Sequence, residues 1–129
     1  MNRKMRTLFD ARVRDRGLTL SRARTLLRIT AGQAVNQREL AEDLEIENAT
    51  LVRLVDGLEA QGLIERREVE NDRRAKQVVM TDEGDAMVKL VNQMALDLRK
   101  EILAGLNDND IENALAIVRK MMRNIEEAA

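Results

Sequence analysis

The side chains best suited to bind a ligand by hydrogen bonds lie in two runs, residues 48–53 (NATLVR) and residues 72–76 (DRRAK). Asn and Arg match the hydrogen-bonding edges of adenine and guanine, and Thr can bond to a base or contact the methyl group of thymine. On an isolated helix, residues of these types are usually ordinary solvated surface. The elements that carry them therefore decide between the two interpretations.

Enzyme chemistry is poorly represented in the same sequence. There is no Cys and no His, and Ser21 is the only serine. A Ser-His-Asp or Cys-His site is therefore impossible, and the commonest general base and transition-metal ligand is missing. We expect no enzymatic activity, no metal and no cofactor.

Residues 36–61 predict two helices joined by a tight turn. Asn36 can cap the first helix, with Glu39 three residues later. Residues 45–47 form the turn, and residues 48–61 form the second helix, which Gly62 ends. At helical spacing, one side of this pair is apolar; its members are Leu40, Ala41, Leu44, Ile46, Leu51, Leu54, Val55 and Leu58.

A two-stranded ribbon is predicted next. Residues 63–69 and 76–80 form its strands, and residues 70–75 form a basic tip that contains the turn pair Asn71-Asp72. Asp72 precedes Arg74 by two residues, close enough to orient its guanidinium group. Arg is drawn to a narrow minor groove. The alternative is an ordinary charged hairpin, and only its position beside the preceding helix favours the DNA-binding interpretation.

The flanking segments read as amphipathic helices. Residues 2–16 and 20–31 predict two helices before the pair, and residues 82–104 and 108–129 predict two long helices after the ribbon. The last helix repeats apolar residues at a four-three spacing, which is typical of a coiled coil. One copy of so small a protein cannot cover this surface, so we expect a homodimer. The predicted interface residues are Ile111, Leu115, Val118, Met122 and Ile125.

Residues 39–84, ELAEDLEIENATLVRLVDGLEAQGLIERREVENDRRAKQVVMTDEG, resemble the MarR family of winged helix-turn-helix regulators. The LVR-x-x-D-x-LE-x-x-GLI-x-R and DRRAK segments look most like its SlyA-like branch. A looser likeness extends over residues 18–125. The resemblance implies a homodimer on an inverted repeat, and for many members release from DNA by small phenolic or aromatic carboxylic compounds.

The resemblance also implies roles for particular residues. Positions matching Asn48, Ala49, Thr50 and Arg53 lie in the major groove. The position matching Arg74 enters the minor groove, held by the one matching Asp72. Arg73 and Lys76 are expected on the DNA backbone, where Gln37 and Arg38 are equally well explained as phosphate contacts or as solvated surface.

The charge distribution agrees with a localised binding surface. Residues 1–30 carry nine Lys/Arg against two Asp/Glu, whereas residues 31–129 carry thirteen against twenty-one, for a total of −1. A weakly acidic total argues against a nonspecific DNA coat but not against a specific reader. No signal peptide or membrane span is evident, so a cytoplasmic location is expected.

The expected fold is mainly α with a small β-wing. We expect one domain, residues 1–129, with the winged helix-turn-helix in residues 19–81 and a helical dimerisation part in residues 1–17 and 82–129. The predicted function is transcriptional regulation on an A·T-rich inverted repeat. The alternative is a winged-helix adaptor that binds protein partners instead of specific DNA.

Overall fold

The computed structural model describes residues 1–69 and 72–129, and it describes their side chains except at residues 69 and 72–75. The chain divides into two compact units, Met1–Asp97 and Leu98–Ala129. The predicted fold class, mainly α with a small β-wing, is confirmed. In chain order the elements are α1 Asn2–Arg14, α2 Leu20–Leu27, β1 Val35–Asn36, α3 Gln37–Leu44, α4 Asn48–Ala60, β2 Ile64–Val69, β3 Asp72–Met80, α5 Asp82–Ile102 and α6 Asp108–Ala128.

The first unit is built around one apolar core to which every element from α1 to the first turns of α5 contributes. Full burial of a Val, Leu, Ile, Phe or Met side chain stabilises a fold by about 1.5–3 kcal/mol. Phe9, Met87 and Met94 are half-buried against the core. Its buried members are Val13, Leu18, Ala23, Leu26, Ile29, Leu40, Ala41, Leu51, Val55, Leu58, Leu63, Ile64, Val78 and Val91.

The wing contains the predicted two-stranded ribbon, formed by β2 and β3, and also a third strand, β1, that was not predicted. The strand order is β1-β3-β2, and all pairs are antiparallel. The missed strand β1 pairs Val35 with Val78 and Asn36 with Gln77. A strand of two residues shows no alternation that the sequence could reveal, and its pairing partner lies more than forty residues away.

Helix α2 ends at Leu27, four residues before the predicted end. The N–H groups of Arg28 and Ile29 donate to the carbonyls of Thr25 and Leu26, which are bonds of the tighter i to i+3 type that close a helix. The apolar side chain of Leu27 is 39% exposed, whereas the polar side chain of Thr25 is buried. The Thr25 hydroxyl is satisfied because it donates to the Ser21 carbonyl at 2.8 Å.

The Asp10 carboxylate joins α1 to the beginning of α2. It accepts from Arg14 Nε at 2.7 Å and from the Leu20 backbone N–H at 3.0 Å. These hydrogen bonds, first from Arg14 and then from Leu20, hold the pKa of Asp10 below its ordinary value. The group therefore stabilises this junction when it is ionised, and that contribution is lost as the pH falls through the lowered pKa.

Thr81 and Gly84 fix the point where α5 leaves the wing. The Thr81 hydroxyl donates to the Gly62 carbonyl at 2.6 Å and accepts from the Gly84 N–H at 3.0 Å, so this side chain caps the beginning of α5. Gly84 is buried, and a Cβ built there would collide with the carbonyl oxygen of Leu63 and approach the Met80 Cγ to 2.8 Å. The close approach of α5 to Leu63, just before β2, therefore requires glycine at this position.

In the second unit, α6 begins with a reciprocal cap between Asn107 and Asp110. Asn107 Oδ1 accepts from the Asp110 N–H at 2.9 Å, and Asp110 Oδ2 accepts from the Asn107 N–H at 3.0 Å. No residue of α6 is buried. Across the described ranges 1–69 and 72–129, no helix is both long and apolar enough to cross a membrane.

We expect Gly84→Ala to lower the free energy of unfolding by about 1–3 kcal/mol, the usual cost of forcing an extra methyl group into a packed site. At an open helical position the same change would stabilise the helix, by up to about 1 kcal/mol. The sign therefore tests the contact with Leu63. Urea unfolding followed by circular dichroism gives the measurement.

Asn92→Ala, at an exposed position of the same helix, is the matched control and should raise the unfolding midpoint slightly, because Ala is a better helix former than Asn. A midpoint raised by Gly84→Ala would contradict the close approach.

Candidate nucleic-acid interface

Helix α4 buries one side and presents the other to solvent. Leu51, Val55 and Leu58 are each 0% exposed. With 3.6 residues per turn, this places the side chains of Ala49 and Arg53 on the opposite side. The four residues predicted for the major groove are all exposed on this one helix: Asn48, Ala49, Thr50 and Arg53.

The Arg53 guanidinium is uncommitted. Within the described side chains, no hydrogen bond or ion pair holds it. A guanidinium carries five N–H donors in a planar fork that suits two acceptors at once, such as O6 and N7 of guanine. Arg53 is therefore exposed and free to make such a contact.

The turn between α3 and α4 sets the direction in which α4 begins. Glu45 adopts the left-handed conformation, with φ 55° and ψ 43°, and the Ile46 N–H then donates to the Ala41 carbonyl at 3.1 Å. Ile46 is half-buried, as an anchor for the turn. Glu47 occupies the N-cap of α4 without a side-chain cap. The positive end of the α4 dipole therefore lies at the exposed N-terminal end of the predicted reading surface.

An arginine of the wing holds the other end of α4. Arg66 of β2 forms ion pairs with Asp56 and, at 3.5 Å, with Glu59, and its backbone N–H donates to Glu59 at 2.9 Å. Its side chain is only 17% exposed. Because a partly buried guanidinium with two carboxylate partners is strongly constrained, the base of the wing keeps a fixed position relative to α4.

This cluster was not among the predictions from the sequence. The signal was present: Asp56 and Glu59 are three residues apart, so they share a side of the helix, and a cation follows in the next strand.

The wing places its predicted residues on β3. Asp72, Arg73 and Arg74 belong to that strand, but their side chains lie outside the described ones, so the predicted Asp72–Arg74 contact stays a prediction. Lys76 is exposed, pairs across the ladder with Glu68, and borders a polar depression of about 400 Å³ with Glu59, Arg66, Arg67 and Glu68.

Gln37 and Arg38 occupy the first turn of α3. The Arg38 N–H donates to Asn36 Oδ1 at 2.8 Å, which confirms the predicted cap, and the Arg38 side chain is exposed. Gln37 is half-buried, and its Oε1 atom is buried without a hydrogen-bond partner in the described part of the chain. Of the two, Arg38 has the freer side chain for a phosphate contact.

A smaller depression of about 110 Å³ lies between α2, the turn and α4. Both Arg24 and Thr50 line it, so a basic residue shares this depression with the predicted reading surface. It is smaller than the usual 300–1,000 Å³ of a small-molecule site. Its lining residues are Ser21, Arg24, Thr25, Leu44, Ile46, Thr50 and Leu54.

The residues predicted for a dimer interface lie on α6. Ile111 is half-buried, and the other four are exposed: Leu115 47%, Val118 51%, Met122 54% and Ile125 67%. Ile117 and Met121 widen this apolar side of the helix.

Comparison with known proteins agrees with this geometry. The model of the MarR family matches residues 18–76. The crystal structure of the transcriptional regulator PA3341 matches with 33% identity and a TM-score of 0.73, over 98% of this chain and 93% of that one.

Two further structures share the fold. A mutant MarR from E. coli complexed with operator DNA matches with 24% identity and a TM-score of 0.77, over 93% of this chain and 86% of that one. The transcriptional regulator SlyA matches with 21% identity and a TM-score of 0.76, over 98% of this chain and 89% of that one. The chain belongs to the MarR family of DNA-binding transcriptional regulators, which are not enzymes.

Proposed function

We propose that this regulator reads a specific DNA sequence through α4 and acts as a homodimer on an A·T-rich inverted repeat. The observation that carries the proposal is the joint exposure of Asn48, Ala49, Thr50 and Arg53 on a helix whose other side is fully buried. A reading helix needs both features, because base contacts require a surface that reaches the groove and does not rotate.

In this proposal the contacts divide by role. Arg53 and Asn48 make hydrogen bonds to bases, while Thr50 bonds to a base or touches a thymine methyl group. Arg74, oriented by Asp72, enters the adjacent minor groove, whose negative potential is strongest where A·T pairs narrow it. Arg73, Lys76, Arg38 and Gln37 contact the DNA backbone; this fixes the register but does not select the sequence.

The homodimer is supported by the composition and exposure of α6. An apolar stripe of this length is costly to leave in water, and a second copy related by two-fold symmetry covers it with the same stripe. Two-fold symmetry also matches the inverted repeat, with the two reading helices about 34 Å apart in successive major grooves.

We further propose that a small aromatic or phenolic carboxylate regulates DNA binding from the junction of α1, α2 and α5. Phe9, the only aromatic residue, is half-buried against the same core as Met87 and Met94. Methionine side chains adapt readily to a planar ring.

Arg53→Ala should weaken binding by about 1–3 kcal/mol at one base position and relax the preference there, since a bidentate base contact is lost. Arg74→Ala should instead weaken binding most on sites with A·T-rich flanks. Fluorescence anisotropy on the intergenic DNA upstream of the gene, with base-substituted duplexes, measures both variants.

The two variants serve as controls for each other because each removes one arginine. Equal weakening of Arg53→Ala on all sequences would reject base reading, and indifference of Arg74→Ala to flanking composition would reject minor-groove insertion. If the unaltered protein fails to prefer any duplex over random DNA, including duplexes from a random-library selection, the adaptor function replaces this proposal.

Leu115→Glu should convert the dimer into monomers, because the dimer would bury the carboxylate of each chain against the apolar stripe of the other chain. Light scattering should then give the mass of one 14.7 kDa chain instead of two. Ala116→Glu adds the same charge at an exposed position of the polar side of α6 and should leave the dimer intact. A dimer that survives Leu115→Glu would place the interface elsewhere.

Benzoate, as a simple aromatic carboxylate, should weaken DNA binding in the same anisotropy assay at constant ionic strength. Acetate at equal concentration carries the same charge without the ring and should have no effect. Identical DNA affinity in the two salts, repeated with salicylate as a phenolic acid, would reject this class of effector.

A further inference from the structure

A second arginine, Arg22 of α2, lies across the side of α4 that faces α2. Its Nη1 atom donates to Gln61 Oε1 at 3.0 Å, and Gln61 Nε2 donates to the Gly17 carbonyl at 2.7 Å. The guanidinium is thus held at the end of α4 by a residue that is itself anchored to the turn before α2. Arg22 is half-buried, so its charged end stays in contact with solvent.

Gly57 of α4 provides the space for this guanidinium. A Cβ built on Gly57 would lie 2.6 Å from Arg22 Nε and still closer to other atoms of the group. The backbone of Gly57 is ordinary right-handed helix, since its φ is not positive. The guanidinium therefore lies against the bare backbone of Gly57, and a side chain at this position would displace the flexible end of Arg22.

The location of Gly57 on α4 places the Arg22 charge close to the surface proposed to read bases. Arg53 and Gly57 are four residues apart, which makes them neighbours on one side of the helix, about 6 Å apart along its axis. The Arg22 guanidinium therefore lies one turn beyond Arg53, at the flank of the surface proposed to read bases. Among the described side chains, no carboxylate pairs with Arg22, so its charge remains available to an anion.

We propose that Arg22 binds a backbone phosphate of the DNA beside the major groove that α4 reads, with Gly57 as the recess that lets it reach there. This inference rests on the proposed reading role of α4. A phosphate fits better than a base edge because Gln61 already occupies part of the guanidinium and holds it at the flank of the helix. A phosphate accepts from the remaining N–H donors without demanding a particular base.

A phosphate contact has a signature that a purely structural strut lacks. Each phosphate neutralised by the protein releases condensed counterions, so the slope of log affinity against log salt is about −0.9 per contact. Removing Arg22 should therefore make the slope shallower by about 0.9 per chain, or about 1.8 for a dimer, and should weaken binding equally on all sequences. Loss of a strut would weaken binding without changing the slope.

The test is a salt series of anisotropy titrations with four proteins: unaltered, Arg22→Ala, Gly57→Ala, and the double variant Arg22→Ala/Gly57→Arg. Gly57→Ala keeps the positive charge of Arg22 but fills the recess beside the helix backbone. It should therefore make the salt slope less steep, as Arg22→Ala does. The double variant returns a guanidinium to this surface from α4 itself and should restore the slope. Circular dichroism melting confirms that each variant is folded.

Arg119→Ala, which removes one positive charge from the second unit, controls for net charge and should leave the slope unchanged. An unchanged slope in Arg22→Ala would overturn the proposal, even if affinity falls, and so would a double variant that folds but does not recover. These outcomes are distinct from failure of the proposed function, in which the unaltered protein shows no sequence preference at all.

Discussion

Burial of one side of α4 is the constraint on which the candidate interface depends. Leu51, Val55 and Leu58 are fully removed from solvent, so rotating the helix by even a fraction of a turn would expose apolar area at about 25 cal/mol per Å². The side chains on the opposite side inherit this fixed orientation. The core beneath Arg53 thus determines the side of α4 from which its side chain projects.

The two flanks of α4 are held by a different kind of interaction. On the wing side, Arg66 bonds to Asp56 and Glu59; on the α2 side, Arg22 bonds to Gln61 above Gly57. Apolar packing is non-directional, whereas these contacts fix particular atoms at particular distances. The core thus sets the rotation of the helix, and the arginines set where the wing and α2 lie against it.

How much of this could be predicted depended on the range over which each signal acts. Helix starts such as Asn36, Thr81 and Asn107 were predictable because a cap and its partner are two or three residues apart. Strand β1 was not, because the pairing of Val35 with Val78 leaves no local pattern. The exposure of Asn48, Ala49, Thr50 and Arg53 followed from periodicity, but the recess at Gly57 did not, since its occupant comes from a distant helix.

The exposed apolar side of α6 has a consequence for how operator occupancy depends on the concentration of this protein. When a binding-competent form exists only as a pair, its concentration rises with the square of the total at low abundance, and the stability of the paired helices rises with it. Operator occupancy then rises steeply above a threshold protein concentration and not in proportion to that concentration. A helix with no buried residue of its own would thereby make the switch insensitive to small, accidental bursts of synthesis.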